Sequence, residues 1–72
     1  MDHQILVFRT SASRKRDVKQ MDRIFKAYPQ ISRWNVDLED WEKILRIECN
    51  GISAETIIAL LRELNIYAQE LT

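Results

Sequence analysis

The stretch YPQISRWNVDL, residues 28–38, marks the change from helix to strand on which the fold prediction rests. Pro29 lacks a backbone N–H and has a fixed φ angle, so a helix approaching from the N-terminal side must end before it. Beyond the proline, apolar and polar residues alternate strictly from Trp34 to Leu38. This alternation is the period-two pattern of a half-buried strand, and it predicts a strand from Ser32 to Leu38.

The sequence before Pro29 predicts one strand followed by one helix. The run from Ile5 to Phe8 consists of β-branched, aliphatic and aromatic residues, which favour a strand. From Ser13 onward, apolar residues recur at spacings of three and four, as they do along one face of a helix. These residues are Val18, Met21, Ile24, Phe25 and Tyr28.

The sequence after Leu38 predicts a strand, a second helix and a short last strand. Leu45, Ile47 and Cys49 form one side of an alternating strand that Asn50-Gly51 ends. Ser53 is a suitable N-cap, and Ile52 and Ile57 have the spacing of a hydrophobic staple around it. The buried stripe of the helix is predicted at Ile57, Leu60, Leu61 and Leu64, its left-handed end at Asn65, and the last strand at residues 66–71.

The element order is therefore βαββαβ. Two amphipathic helices must both cover the same face of one sheet, which gives a two-layer sandwich of the α+β class. We predict a ferredoxin-like fold with a four-stranded antiparallel sheet, two helices on one face, and strand order four-one-three-two. With no linker or repeat, residues 1–72 are expected to form a single domain.

Composition narrows the functional classes. The chain has 72 residues, of which 46% are hydrophobic and 31% charged, as in an ordinary globular domain. Its apolar runs are too short to cross a bilayer and no signal peptide is visible, so we expect a cytoplasmic protein without a membrane partner. Cys49 is the only cysteine, which excludes an internal disulfide and a cysteine-based zinc site.

The charges divide the chain into two halves of opposite sign. Through Arg33 there are eight basic and three acidic residues, and from Trp34 onward there are three basic and eight acidic residues. Such an asymmetry can steer a charged partner or orient self-association, although two solvated faces would also account for it.

Three segments resemble the heavy-metal-associated domain family, the βαββαβ modules of copper chaperones, metal-transporting ATPases and mercury-binding proteins. Residues 28–31 (YPQI) with the alternating residues 34–38 are similar to the family's Leu-Pro-Gly-Val and Val-x-Val-Asp stretch. Residues 52–58 (ISAETII) are similar to its second helix, and residues 64–68 (LNIYA) to its Gly-Tyr-x-Ala final strand. The resemblance spans nearly the whole chain and implies the same fold.

The family's metal signature is Met-x-Cys-x-x-Cys in the loop entering the first helix, where two thiolates clamp a soft ion. By this resemblance, its methionine falls on Ala12 and its cysteines on Arg14 and Asp17. An arginine repels a cation and a lone carboxylate is a hard ligand, so we expect no metal site here. A metal carrier with atypical ligands, such as His3, Asp17 or Cys49, stays open as an alternative, although Cys49 also fits a small buried core residue.

A basic cluster lies at the start of the first predicted helix. Because helix N-termini favour anions, this cluster could bind a phosphate, a carboxylate or an acidic protein surface, or simply be solvated. The resemblance implies that partner domains dock at this loop, which favours an acidic protein partner. The residues are Arg14, Lys15, Arg16 and Lys19.

The face of the sheet away from the helices is predicted to bear an apolar patch. Such a patch would suit a homodimer or a docking surface, or consist of scattered surface aliphatics. Its residues are Ile5, Val7, Ile44, Tyr67 and Leu71. This face has no aromatic platform for stacking bases, so nucleic-acid binding has only the basic first half in its favour.

No catalytic constellation is visible, because Cys49 has no nearby histidine and no two carboxylates converge. The only glycine, Gly51, lies outside any phosphate loop, so no nucleotide or other cofactor is expected. The sequence therefore favours a non-enzymatic, degenerate member of the heavy-metal-associated family that binds a protein partner. An atypical metal carrier and an anion or small-ligand sensor are the alternatives.

Overall fold

A computed structural model describes residues 3–71, so that residues 1, 2 and 72 of the predicted domain lie outside the described part. The elements follow the order β1 (Gln4–Thr10), α1 (Lys15–Phe25), β2 (Ile31–Val36), β3 (Ile44–Cys49), α2 (Ala54–Glu63) and β4 (Ala68–Glu70). The four strands form one antiparallel sheet in the order β2-β3-β1-β4. The predicted ferredoxin-like fold, including its strand order, is confirmed.

The pairing of the two central strands places their apolar residues on the inner face of the sheet. Phe8 lies opposite Leu45, and Leu6 lies opposite Ile47. Phe8, Leu45 and Ile47 are fully buried, and Cys49 joins them on the same side of β3. The alternation that predicted Cys49 as an inward-facing core residue is therefore confirmed.

Both helices pack on this inner face. Helix α1 contributes Met21 and Phe25 to the core. The ring of Phe25 meets the indole of Trp34 edge to face, with centroids 5.1 Å apart and planes at 78°, the geometry that aromatic quadrupoles favour. From α2 come three core residues at helical spacing, Ile57, Leu60 and Leu61.

The predicted boundary signals of α2 are also confirmed. The hydroxyl of Ser53 accepts a hydrogen bond from the backbone N–H of Thr56, which satisfies one of the free N–H groups of the first turn. Asn65 adopts a left-handed conformation with φ 61° just after the helix. Gly51, with φ 69°, makes the left-handed turn between β3 and α2 that a residue with a Cβ would disfavour.

Helix α1 is shorter than predicted. It begins at Lys15 rather than near Ser13, because the backbone of Arg14 is extended, with φ −127° and ψ 156°. It ends at Phe25, and Tyr28 lies in a following turn in which its N–H donates to the carbonyl of Phe25. Tyr28 still packs against the core, so the apolar stripe extends one turn beyond the helix.

Three strand ends were predicted wrongly. Strand β1 extends two residues past Phe8, because Arg9 pairs with Ile44 of β3 and Thr10 pairs with Ala68 of β4. Strand β2 spans Ile31–Val36 and does not reach Leu38, because the Asp37 carboxylate accepts two backbone N–H groups and starts a turn. Strand β4 is only Ala68–Glu70, because the N–H of Ile66 still bonds to α2.

Replacing Phe8 with alanine should lower the free energy of unfolding by about 3–5 kcal/mol, because the ring is fully buried and its removal leaves a cavity. Urea denaturation followed by circular dichroism measures this loss. The matched control is Ile5→Ala on the outer face of the same strand, where the side chain is 47% exposed. Equal losses for the two variants would contradict the assignment of the inner face.

Candidate functional site

The loop between β1 and α1 is anchored to both neighbouring strand connections. The N–H of Thr10 donates to the carbonyl of Glu42 over 3.3 Å. Ser11 donates its N–H to the carbonyl of Tyr67 over 3.0 Å and accepts the N–H of Tyr67 at its hydroxyl over 2.8 Å. This loop, the β2–β3 hairpin and the α2–β4 connection therefore meet at one end of the sheet.

The carboxylate of Asp17 folds back over the start of α1. Its Oδ2 accepts the backbone N–H of Ser13 at 3.0 Å and that of Arg14 at 3.1 Å. Its Oδ1 lies 3.8 Å from Nη2 of Arg14. Ala12 is fully buried beneath this loop. The positions to which the resemblance assigns two cysteines are thus joined by hydrogen bonds and an ion pair.

These contacts hold the pKa of the Asp17 carboxyl below its ordinary value. The hydrogen bond from the N–H of Ser13 is the largest cause, and burial of the carboxylate opposes it. The N–H and guanidinium of Arg14 and the charge of Arg16 lower the pKa further. Asp17 is therefore ionised at neutral pH and supplies the anion that a helix N-terminus favours.

A small polar cavity of about 220 Å³ lies beside this helix start, lined in part by Ser13, Arg16, Asp17 and Asn65. A bound anion here would have to compete with the Asp17 carboxylate for the N–H groups of Ser13 and Arg14. The geometry therefore disfavours a phosphate at the backbone and leaves the basic side chains as the groups able to meet a partner.

The four predicted basic residues all lie on the surface around the start of α1. Within residues 3–71, only one of the four, Arg14, forms an ion pair. Lys15, Lys19 and Arg23 follow one another at four-residue spacing on α1, and Lys26 lies three residues further, just after the helix ends. Sequence reasoning did not include Arg23 and Lys26. The signal was present as basic residues at i, i+4, i+8 and i+11.

The predicted sheet-face patch is divided by polar residues. Leu71 lies beside Val7, since its N–H donates to the Val7 carbonyl over 2.8 Å. Ile5 is two residues away on the same strand, but its partner across the sheet is Glu48. Ile44 is paired with Arg9, and Val7 is paired with Arg46.

Tyr67 lies on the same face of the sheet but further from Val7 and Leu71. Gln69 separates it from Leu71, and the Tyr67 hydroxyl lies 3.4 Å from the Gln69 side-chain oxygen. The structure thus groups Ile5, Val7 and Leu71, with Ile44 on a diagonal, and separates Tyr67 from them.

The predicted alternative metal ligands lie apart. The Cys49 thiol is 1% exposed on the inner face of the sheet, and its burial raises its pKa. The His3 imidazole is exposed, 3.7 Å from the Glu48 carboxylate, while Asp17 belongs to the far end of the sheet. In the part of the chain that the structure describes, no three His, Cys, Asp or Glu side chains are grouped to hold a metal ion.

Comparison with solved structures finds a domain with a similar fold. The copper(I)-loaded form of the first domain of the human copper chaperone for SOD1 superposes with a TM-score of 0.80, covering 97% of this chain and 94% of that domain. Sequence identity over the superposition is 16%, so this likeness establishes a shared fold of the heavy-metal-associated type. No protein-family model and no curated protein matches the sequence.

No helix among residues 3–71 has the length and apolar character needed to cross a membrane.

Replacing Asp17 with asparagine should lower the free energy of unfolding at neutral pH by about 1 kcal/mol, because an amide oxygen bonds N–H groups less strongly than a carboxylate does. In a domain of this size, about 1 kcal/mol corresponds to about 4–8 °C in melting temperature. The matched control is Asp22→Asn on the same helix. It should lower the free energy of unfolding less, because the half-exposed carboxylate of Asp22 pairs with the exposed ammonium of Lys26.

The stability difference between the wild type and Asp17→Asn should depend on pH. Because the native pKa of Asp17 is below the ordinary value of 3.8, the carboxylate stabilises the fold fully above that value. The contribution is lost as the pH falls through the native pKa. Urea titrations at a series of pH values test this, and a difference that grows on acidification would contradict the role of Asp17.

The Cys49 thiol should resist modification in the native protein, because it is buried and its raised pKa leaves little reactive thiolate. A colorimetric thiol assay should show slow reaction in buffer and rapid, complete reaction in urea. Reaction in buffer at the rate seen in urea would place the thiol at the surface.

Proposed function

We propose that this chain is a small non-enzymatic binding module of the heavy-metal-associated type that acts by contact with an acidic protein partner. The contact surface is the basic start of α1, at Arg14, Lys15, Arg16 and Lys19. The observation that carries the proposal is the pairing of Arg14 with Asp17 at the two positions that the resemblance assigns to metal-binding cysteines.

The chemistry of this pair supports contact rather than metal transfer. A soft ion such as copper(I) is held by thiolates, whereas an arginine offers no lone pair and a carboxylate is a hard ligand. The oxygens of Asp17 already accept two backbone N–H groups and lie against the Arg14 guanidinium. A bound metal would have to break these contacts.

The charge distribution supports an acidic partner. Lys15, Arg16 and Lys19 are exposed and have no ion-pair partner within residues 3–71, so their charges are available to another molecule. Exposed charges of one sign steer the approach of an oppositely charged protein, and added salt weakens this attraction. The sheet-face residues are the weaker candidate for this contact, because Arg9, Arg46 and Glu48 interrupt them.

Replacing Arg14 and Arg16 together with glutamate should reduce capture of an acidic partner by tenfold or more, because two attractive charges become repulsive. Affinity capture from cell extract at low salt, followed by quantitative mass spectrometry, compares the variant with the wild type. A partner that depends on the basic surface should also be released by moderate salt.

The control replaces Arg46 and Arg62 with glutamate, which changes the net charge equally on other exposed surfaces. If the control lost capture equally, the loss would come from the net charge of the chain and not from the basic surface of α1. Unchanged capture with the Arg14 and Arg16 variant would remove this surface from the proposal.

A metal titration tests the copper carrier as the competing function. Native mass spectrometry of the reduced wild-type chain with one equivalent of copper(I) should show no bound ion. The variant Arg14→Cys with Asp17→Cys should gain one copper(I), because the two thiolates then lie where the resemblance places them. Copper on the wild-type chain at low micromolar concentration would overturn the proposal.

A further inference from the structure

The hairpin between β2 and β3 displays an exposed tryptophan at its tip. Trp41 is 86% exposed, far more than any other large apolar side chain among residues 3–71. An exposed indole lacks the stabilisation that burial of its apolar surface provides, and tryptophan is enriched among the residues that contribute most to binding at protein interfaces.

Side-chain hydrogen bonds hold the backbone of the turn around Trp41. The Asp37 carboxylate accepts the N–H groups of Glu39 and Asp40, and the Asp40 carboxylate accepts the N–H of Glu42. The Lys43 ammonium donates to the carbonyl of Leu38 over 3.0 Å. An indole on a prearranged turn loses little conformational entropy when it binds.

The charge of the tip indicates the sign of its partner. The tip carries four carboxylates and one ammonium group. The carboxylates belong to Asp37, Glu39, Asp40 and Glu42, and the ammonium group belongs to Lys43. Arg9 neutralises Glu42 by an ion pair at the base of the hairpin. A surface that receives Trp41 must therefore combine an apolar slot with positive charge.

A groove of this kind exists on the same chain. It lies between α1 and β2 and has a volume of about 550 Å³. Three cations and one carboxylate line it together with two apolar side chains, and because Asp22 pairs with Lys26 over 3.1 Å, the charges of Lys19 and Arg23 remain uncompensated among the described residues of the groove. The lining residues are Val18, Lys19, Asp22, Arg23, Lys26 and Trp34.

The position of β2 lets two copies exchange these features. Strand β2 is at the edge of the sheet, and within residues 3–71 it pairs only with β3. If a second copy approaches this edge antiparallel, the tip that follows its β2 arrives beside the start of the first β2. Helix α1 ends at that same place, with Arg23 and Lys26 in and after its last turn.

We propose that two copies of this chain associate with their β2 edges antiparallel, about a two-fold axis perpendicular to the sheet, so that Trp41 and the acidic tip of each copy are seated in the α1–β2 groove of the other. The interface is isologous, so each tip–groove contact occurs twice and the assembly closes at two subunits. The groove is the partner of the tip because its charge is opposite and its apolar lining matches an indole.

Sedimentation equilibrium tests this proposal on the wild-type chain. At low salt, the average mass should rise from that of one subunit, 8.6 kDa, and level off at two between micromolar and millimolar concentration. Trp41→Ala should weaken the self-association at least about 30-fold, the effect of losing an interface hot spot.

Charge reversal identifies the surface that receives the tip. The tip variant Glu39→Lys leaves the side-chain hydrogen bonds of the turn in place, and the groove variant Arg23→Glu leaves the Asp22–Lys26 ion pair in place. Each variant should self-associate at least about tenfold more weakly than the wild type, because an attractive charge becomes repulsive. An equimolar mixture of the two should form mixed dimers, because each tip then meets a groove of opposite charge. The recovery of association in the mixture also shows that both variants are folded.

Ile5→Lys on the open sheet face is the control and should associate like the wild type. A wild-type chain that stays monomeric to millimolar concentration would overturn the proposal. So would loss of association in Ile5→Lys with no effect of Trp41→Ala, which would place the interface on the sheet face. A mixture that fails to associate would show that the tip does not bind this groove.

Discussion

The antiparallel pairing of β1 with β3 is the constraint on which the rest of this fold depends. It places Phe8 opposite Leu45 and Leu6 opposite Ile47, so that one face of the sheet is continuously apolar. A shift of one residue would turn all four side chains toward the opposite face. Both helices are amphipathic and can bury their apolar stripes only against this face.

The same register determines what is presented outside. With the apolar residues turned inward, Arg9, Arg46 and Glu48 must occupy the outer face, where they divide the aliphatic residues Ile5 and Val7 from Ile44. The outer sheet face therefore has no large continuous apolar surface among the described residues. The basic residues of α1 and the tip of the hairpin are the more distinctive exposed surfaces. The two surfaces to which we assign contacts with other molecules thus lie on the first helix and on the hairpin.

Sequence patterns predicted the elements well because those patterns are local. The alternation around Trp34, the Ser53 cap and the left-handed Asn65 each depend on a few neighbouring residues, and all were confirmed. The strand ends were missed because they depend on the Asp37 side chain and on a bond between α2 and Ile66. The groove beside Trp34 could not be predicted, because it forms only when α1 and β2 lie side by side.

The position of β1 in the middle of the sheet also has a consequence for synthesis of the chain. Although β1 is made first, one of its neighbours is β3 and the other is β4, at residues 68–70. Its edges therefore stay unpaired on the ribosome until most of the domain has emerged, and these non-local pairings are slow to form. During that interval the apolar run Ile5–Phe8 lies in an unpaired strand, which is the condition in which strand edges join to those of other chains. The time before β4 emerges is therefore the stage of synthesis at which pairing with another chain competes most directly with folding.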